Sequence, residues 1–298
     1  MKKFLALLMA ATLMMAVLAG CGGTNNGGNN AAGNTTNNST TENTAAEDNT
    51  GDTVARSGTV NTDGSTSMKD VMGVLIETYG EIQKDVTVNY SGTGSGAGIE
   101  AVLAGNVDIG LSSRALKAEE EEKGAVGHVV ALDGVAIVVN PASGVEDLTV
   151  EQIAQIFKGE ITNWSELGGE DAEIAVLGRE DGSGTRSAFE EIVGVDGECK
   201  YTNEYSSTGD VIGNVASNPN AIGYASLSAV DETVKAVKVG GVECSEATIK
   251  DGSYEIQRPF LMVTMEGAEL SPAAEDFLSY ATSADVAEYI AAAGAVAP

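Results

Sequence analysis

Three short stretches of this chain combine glycine, hydroxyl side chains and, in one case, arginine just before an apolar helical pattern. They are Asp63-Gly64-Ser65-Thr66-Ser67, Gly92-Thr93-Gly94-Ser95-Gly96-Ala97-Gly98 and Arg179-Glu180-Asp181-Gly182-Ser183-Gly184-Thr185-Arg186. Each holds the parts of an anion site. A helix N-terminus leaves backbone N–H groups unpaired and carries partial positive charge. Glycine lets the backbone come close to a ligand, and Ser and Thr add donors that rotate to suit. Arg179 contributes a permanent cation whose planar fork fits an oxyanion. Asp181 stands near enough in sequence to orient that guanidinium. One such loop alone is more often a plain cap or turn; three on one chain point to a shared anion.

The elements around these loops alternate in type. Val86-Thr87-Val88-Asn89-Tyr90 has the period of a half-buried strand, and Val107–Leu111 and Gly134–Val139 read as further strands. Met68, Val71, Met72, Leu75 and Tyr79 recur at helical spacing, as do Ile99, Val102 and Leu103. Thr149 and Gln152 form a capping box ahead of the stripe Ile153, Ile156, Phe157. Ser271-Pro272 opens a helical region running to Ala293, before Gly294. Strands alternating with helices predict an α/β fold.

The N-terminus predicts the compartment. Lys2 and Lys3 precede an apolar run from Phe4 to Leu18, closed by Leu18-Ala19-Gly20-Cys21. The run is shorter than the ~20 residues of a spanning helix, so residues 1–20 read as a secretory signal. Cys21 falls where a bacterial lipobox places its lipidated cysteine. Residues 21–53, rich in Gly, Asn, Thr and Ser, then read as a flexible tether. The formal charge is −28, and loss of the two leader lysines takes it to −30. That acidity excludes nucleic acid and a polybasic membrane contact. Cys199 and Cys244 are compatible with a disulfide and equally with two free thiols. A lone His128 and no ligand-spaced cysteines predict no metal and no cofactor. Gly92-x-Gly94-x-x-Ala97 only grazes the dinucleotide fingerprint, and Gly182-Ser183-Gly184-Thr185 lacks the lysine of a P-loop.

Longer motifs carry a resemblance. Gly64-Ser65-Thr66-Ser67, Gly92-Thr93-Gly94-Ser95, Asp108–Arg114, Leu132–Ala136, Ile156–Trp164, Arg179–Arg186, Ala221–Tyr224 and Arg258-Pro259-Phe260 are similar to segments of the phosphate-binding proteins of high-affinity phosphate ABC importers, in their short lipoprotein form. The resemblance covers Val54 to Pro298. It implies a two-lobed type II periplasmic-binding-protein fold, with two crossing segments near Asp133–Val138 and Glu255–Phe260 and a ligand cleft between the lobes. Residues 54–135 with 257–298 would form one lobe, and 136–256 the other.

The resemblance also implies a ligand set. Ser65 and Thr66, Ser95, and Arg179, Ser183, Gly184 and Thr185 would hold inorganic phosphate. Many long members of the family have an aspartate, which accepts the phosphate proton, where this chain has Ser113. Here Ser113 and Arg114 are both expected to contact phosphate, Arg114 as a second cation, with Asp63 and Asp181 as alternative proton acceptors. The implied function is non-enzymatic: a monomeric, extracytoplasmic receptor, lipid-anchored at Cys21, that delivers phosphate to membrane permease subunits. A receptor for sulfate or molybdate is the alternative of the same class. A secreted phosphatase would need a metal cluster or an activated nucleophile, and a single histidine with no ligand-spaced cysteines argues against it. An adhesion or signalling protein would not need the intact Ser/Thr/Arg set.

Overall fold

In the computed structural model, which describes residues 56–298, the alternating run around Val86 becomes a strand between two strand–helix units. The chain begins β1 (Ser57–Gly64), α1 (Lys69–Ile82), β2 (Asp85–Ser91), α2 (Ser95–Leu103), β3 (Ile109–Ser112), α3 (Ala118–Glu121) and β4 (Ala125–Val139). It continues β5 (Asp147–Leu148), α4 (Val150–Phe157), β6 (Ala175–Arg179), α5 (Gly184–Val193), β7 (Asn203–Tyr205), α6 (Thr208–Ser217) and β8 (Ala221–Ser226). It closes with β9 (Lys235–Ala236), β10 (Lys238–Val239), α7 (Glu246–Lys250), β11 (Gln257–Met265), α8 (Pro272–Ala281) and α9 (Ala287–Ala292). The signal, Cys21 and the tether lie outside the described residues.

The main sheet runs β2-β1-β3-β11-β4-β8-β6-β7, with β9 paired to β4. β1 lies parallel to β2 and β3, and β6 parallel to β7 and β8. Parallel neighbours need a crossover, and α1, α2, α5 and α6 supply it. β4 belongs to both halves of the molecule. Ala125–Gly134 of β4 pairs antiparallel with β11, and Val135–Val139 pairs with β8.

Two cores flank this shared strand. Met68, Val71, Met72, Leu75 and Tyr79 of the α1 region pack with Ile109, Phe260, Met262 and Phe277. The second core holds Val135–Val139, Ile153, Ile156, Phe157, Trp164, Phe189, Tyr224 and Ile222. Trp164 thus packs the second lobe, its indole N–H donating to Asn220 O at 3.0 Å. Val296, near the chain's end, joins this second core and bridges to Leu132 of β4. The capping box at Thr149 and Gln152 and the Ser271 cap both form. The C-terminal helical region is broken: α8 stops at Ala281, and a 3-10 turn at Ala284–Val286 precedes α9. Cys199 and Cys244 are free thiols.

Where β4 and β11 cross between the lobes, Asp133 and Arg258 stand directly opposite one another. Their side chains are essentially without solvent exposure, 0 % and 1 %, and pair at 3.0 Å. Asp133 Oδ1 also accepts from Ser226 Oγ at 2.7 Å. A buried ion pair is weak evidence of net stabilisation, but breaking one side strands the other charge in a dry site. Asp133→Ala should therefore lower unfolding free energy by about 3–5 kcal/mol in urea denaturation. An Asp133→Leu/Arg258→Met double variant should lose far less; equal losses would show that the stranded charge is not the cause.

Candidate functional site

The first loop is fixed by how closely two strands approach. Gly64 ends β1 with φ +142°, and a Cβ there would lie 2.2 Å from Leu111 O, so only glycine fits. Ser65 N–H donates to Leu111 O at 2.9 Å, and Tyr90 OH donates to Ser65 O at 2.9 Å. The Thr66–Met68 turn then leads into α1. The Ser65 hydroxyl is buried and has no hydrogen-bond partner among the described residues.

The second loop ends where α2 begins at Ser95. The Ser95 side chain is buried, its Oγ accepting from Ser113 N–H at 3.1 Å and lying 3.3 Å from Ser113 Oγ. Ser113 follows directly on β3, so the ends of β2 and β3 converge at this hydroxyl pair.

The third loop is held from below by aromatic rings. Phe189 stacks on Tyr224 with centroids 4.2 Å apart, and Phe157 packs against both. Tyr224 OH accepts from Arg179 N–H at 3.1 Å, which pins the end of β6. Ser183 caps α5 by accepting from Arg186 N–H at 3.3 Å. Gly184 follows, and a Cβ on it would lie 2.2 Å from Ser95 Oγ and 2.8 Å from Ser113 Oγ. The start of α5 therefore sits against the hydroxyl pair of the other lobe. Gly96 N–H donates across the cleft to Gly182 O at 2.9 Å, and Ser67 Oγ lies 2.7 Å from Thr185 Oγ1.

Arg179 is at the focus, only 2 % exposed. Its Nε and Nη2 donate to the carbonyls of Tyr205 and Ser206 at 3.1 and 2.8 Å. Nη1 donates to Thr66 Oγ1 and Thr208 Oγ1 at 3.0 and 3.1 Å. Burial pulls its pKa down, as does the like charge of Arg258, but an arginine stays protonated. The other buried or half-buried charges nearby are matched: Asp133 with Arg258, Glu190 with Arg186, Glu120 with Arg114. Among the described residues, no carboxylate is in ion-pair contact with Arg179.

The structure thus gathers Ser65, Thr66, Ser95, Ser113, Arg179, Ser183, Gly184 and Thr185 around one cleft. Three expected participants are engaged elsewhere in this structure. Arg114 is not a free second cation: Nη1 and Nη2 grip Glu120 Oε2 and Oε1 at 2.8 and 2.7 Å, and Nη1 also reaches Ala115 O. Asp181 does not orient Arg179; its side chain is 98 % exposed and lies 3.3 Å from Arg186 Nη1. Asp63 accepts from Thr93 Oγ1 at 2.6 Å at an exposed position. No carboxylate is hydrogen-bonded to the hydroxyl cluster among the described residues. Two hydroxyls outside the implied ligand set join the cluster: Ser67, which belongs to the first loop, and Thr208, which no predicted loop contains. Ser206-Ser207-Thr208-Gly209 is a fourth hydroxyl-rich helix start, and its composition was the available signal.

A cleft between two α/β lobes joined by crossing strands, lined by hydroxyls, helix starts and one unmatched guanidinium, defines a solute-binding protein of the periplasmic-binding class. A family model described as a PBP superfamily domain matches residues 36–285. The chain belongs to the PstS family of phosphate-binding proteins, a family of receptors and not of enzymes. It is 34 % identical over 241 residues to phosphate-binding protein PstS of Bacillus subtilis, covering 78 % of each chain. The PstS of Borreliella burgdorferi is 28 % identical over 243 residues, covering 77 % of this chain and 87 % of the relative. A crystal structure described as a phosphate ABC transporter substrate-binding protein with bound phosphate, from Clostridium perfringens, superposes with TM-score 0.78 at 39 % identity, over 81 % of this chain and all of that one. An ABC-type phosphate transport receptor from Vibrio cholerae superposes with TM-score 0.67 at 34 % identity, over 80 % of this chain and all of that one.

Two outcomes follow from this geometry. Gly184→Ala should force α5 away from Ser95 and Ser113, at a cost of about 1–3 kcal/mol in unfolding free energy; unchanged stability would mean the contact relaxes freely. The second concerns acid. Burial alone would raise the Glu120 carboxyl, but the hydrogen bonds and charge of Arg114, with the Lys117 N–H, hold it below its ordinary value. A carboxyl lowered on folding adds stability above its unfolded pKa, and that stability is lost as pH falls through the folded value. Arg114→Met should flatten this acid limb of the stability profile measured in urea; an unaltered limb would refute the pairing's role.

Proposed function

We propose that this chain captures inorganic phosphate in the cleft and delivers it to the membrane subunits of an ABC importer. The observation that carries the reading is Arg179, a buried cation with no carboxylate in contact among the described residues, set among hydroxyls and helix starts. Burying a charge in a dry site costs several kcal/mol unless an opposite charge joins it. A phosphate oxyanion supplies that charge. The phosphate named for the Clostridium perfringens relative supports the same choice.

Ser65, Ser95, Ser113, Ser183 and Thr185 would donate to the anion from both lobes, joined by the backbone N–H groups of Thr66 and Gly184, with Arg179 as its cation. Arg114 is left out because Glu120 occupies its guanidinium. Residues 54–135 with 257–298 and residues 136–256 are the two bodies that would close on the anion. Outside the described residues, the signal at 1–20 would direct export and be removed, and lipidation of Cys21 would hold this monomeric receptor on the outer face of the cell membrane. No helix among the described residues is long and apolar enough to cross a membrane.

The carboxylate-free hydroxyl cluster favours a second reading of the same class. Nothing in it is dedicated to accepting a phosphate proton, so sulfate is the competitor to test. Buried acceptors that go unpaired are what would reject it.

Isothermal titration of the full chain, stripped of bound anion, should show micromolar or tighter phosphate binding. Arg179→Met should weaken it by about 2–5 kcal/mol. Sulfate binding as tightly as phosphate would move the substrate to tetrahedral oxyanions in general, and no binding of either would overturn the reading.

A further inference from the structure

One residue outside all three anticipated loops touches three members of the site. Thr208 is the first residue of α6 and is 2 % exposed. Its Oγ1 lies 3.1 Å from Arg179 Nη1, 3.0 Å from Ser67 Oγ and 3.3 Å from Thr66 Oγ1. Its N–H also points to Thr66 Oγ1, at 3.4 Å. Ser207 holds the turn beneath it, accepting from Asp210 N–H at 3.1 Å and donating to Asp210 Oδ2 at 2.7 Å. Thr208 comes from the second lobe; Thr66 and Ser67 come from the first.

Donor counting orders these contacts. A hydroxyl has one proton and two lone pairs, whereas a guanidinium can only donate. Thr66 Oγ1 therefore accepts from Arg179 Nη1 and from Thr208 N–H, which leaves its own proton for Thr208 Oγ1. Thr208 Oγ1 accepts from Arg179 and Thr66, which leaves its proton for Ser67 Oγ. Ser67, having accepted from Thr208, still has its own proton to give, and Thr185 Oγ1 lies 2.7 Å away to take it. Thr185, having accepted, keeps its own proton to give. Arg179, which cannot accept, sets the direction through Thr66 and Thr208.

We propose that Thr208 is a positioning residue of the anion site, holding the Arg179 guanidinium and directing a cross-cleft hydroxyl chain that leaves Thr185 as a donor to the bound anion. The proposal rests on the phosphate reading and deepens it. Because the chain spans both lobes, Thr208 acts after the anion has entered, on how long the closed cleft keeps it. Affinity changes of this kind appear mainly in the release rate.

The test compares Thr208→Val, which keeps the shape and loses the hydroxyl, with Thr208→Ser, which keeps the hydroxyl. Release of radiolabelled phosphate from the full chain is followed after rapid dilution, with thermal unfolding of the anion-free protein as control. Thr208→Val should release phosphate about 10–100-fold faster, as expected for loss of a hydrogen bond to a charged group. Its association rate should change far less than its release rate, and Thr208→Ser should restore release to within about 3-fold of wild type, the hydroxyl being the group that bonds the charge. Wild-type release from Thr208→Val would overturn the role assigned to Thr208 alone. So would equal defects in Val and Ser variants accompanied by a lower anion-free midpoint, which is the mark of a merely structural residue. Failure of the wild-type chain to bind phosphate at all would overturn the functional reading and this inference together.

Discussion

The arrangement depends on a guanidinium held out of water without a carboxylate in contact with it. Arg179 keeps its charge because carbonyls of Tyr205 and Ser206 and hydroxyls of Thr66 and Thr208 take its hydrogen bonds. Dipoles satisfy donors without cancelling the charge, so the positive field survives for a ligand. The elements that fix it belong to the second lobe: the end of β6, the Tyr224 hydroxyl on its backbone, and the Phe157–Phe189–Tyr224 stack beneath. The nearby ion pairs take up their own carboxylates, and among the described residues none is left in contact with Arg179. A formal charge of −28 is no obstacle to an anion here, since exposed acids are screened over about 8–10 Å at physiological salt.

A second constraint is closeness of approach. The lobes meet where side chains are small: Gly182 against Gly96, and Gly184 against Ser95 and Ser113. Larger residues would hold the helix starts apart and let water between them. β4 keeps those starts in line, because it pairs with β11 in one half and β8 in the other, and Asp133 and Arg258 face each other across β4 and β11 as a directly opposed ion pair. The aromatic stack, the crossing strands and the glycines serve one geometry, in which donors from both lobes converge within hydrogen-bonding distance of one another.

Much of this was legible in order along the chain. The stripe Met68–Tyr79, the box Thr149–Gln152 and the cap Ser271-Pro272 all encode local structure through spacing, and each element formed. The three Gly/Ser/Thr loops were found for the same reason, since a helix start is a local event. Where the structure places side chains otherwise than expected, the physical origin is common. Arg114 was expected in the cleft, but Glu120, brought round by the short α3, takes both of its terminal nitrogens. Asp181 is near Arg179 in sequence, yet its side chain turns outward to Arg186. Sequence proximity does not say which way a side chain points. Thr208 was missed because its partners, Thr66 and Arg179, are 142 and 29 residues away.

The amino-acid sequence by itself determined the α/β alternation, the helix starts able to face an anion and the presence of a cation among them, because periodicity, capping and glycine placement act over a few residues. It also carried the family motifs from which the two-lobed fold and the phosphate class were expected. Tertiary structure alone decided which charges are cancelled and which is left unmatched, which hydroxyls from different lobes meet, and that Arg179 and not Arg114 stands free of a carboxylate. Those outcomes depend on distances between residues far apart in the chain, and they are set only when the crossing strands bring the two cores together.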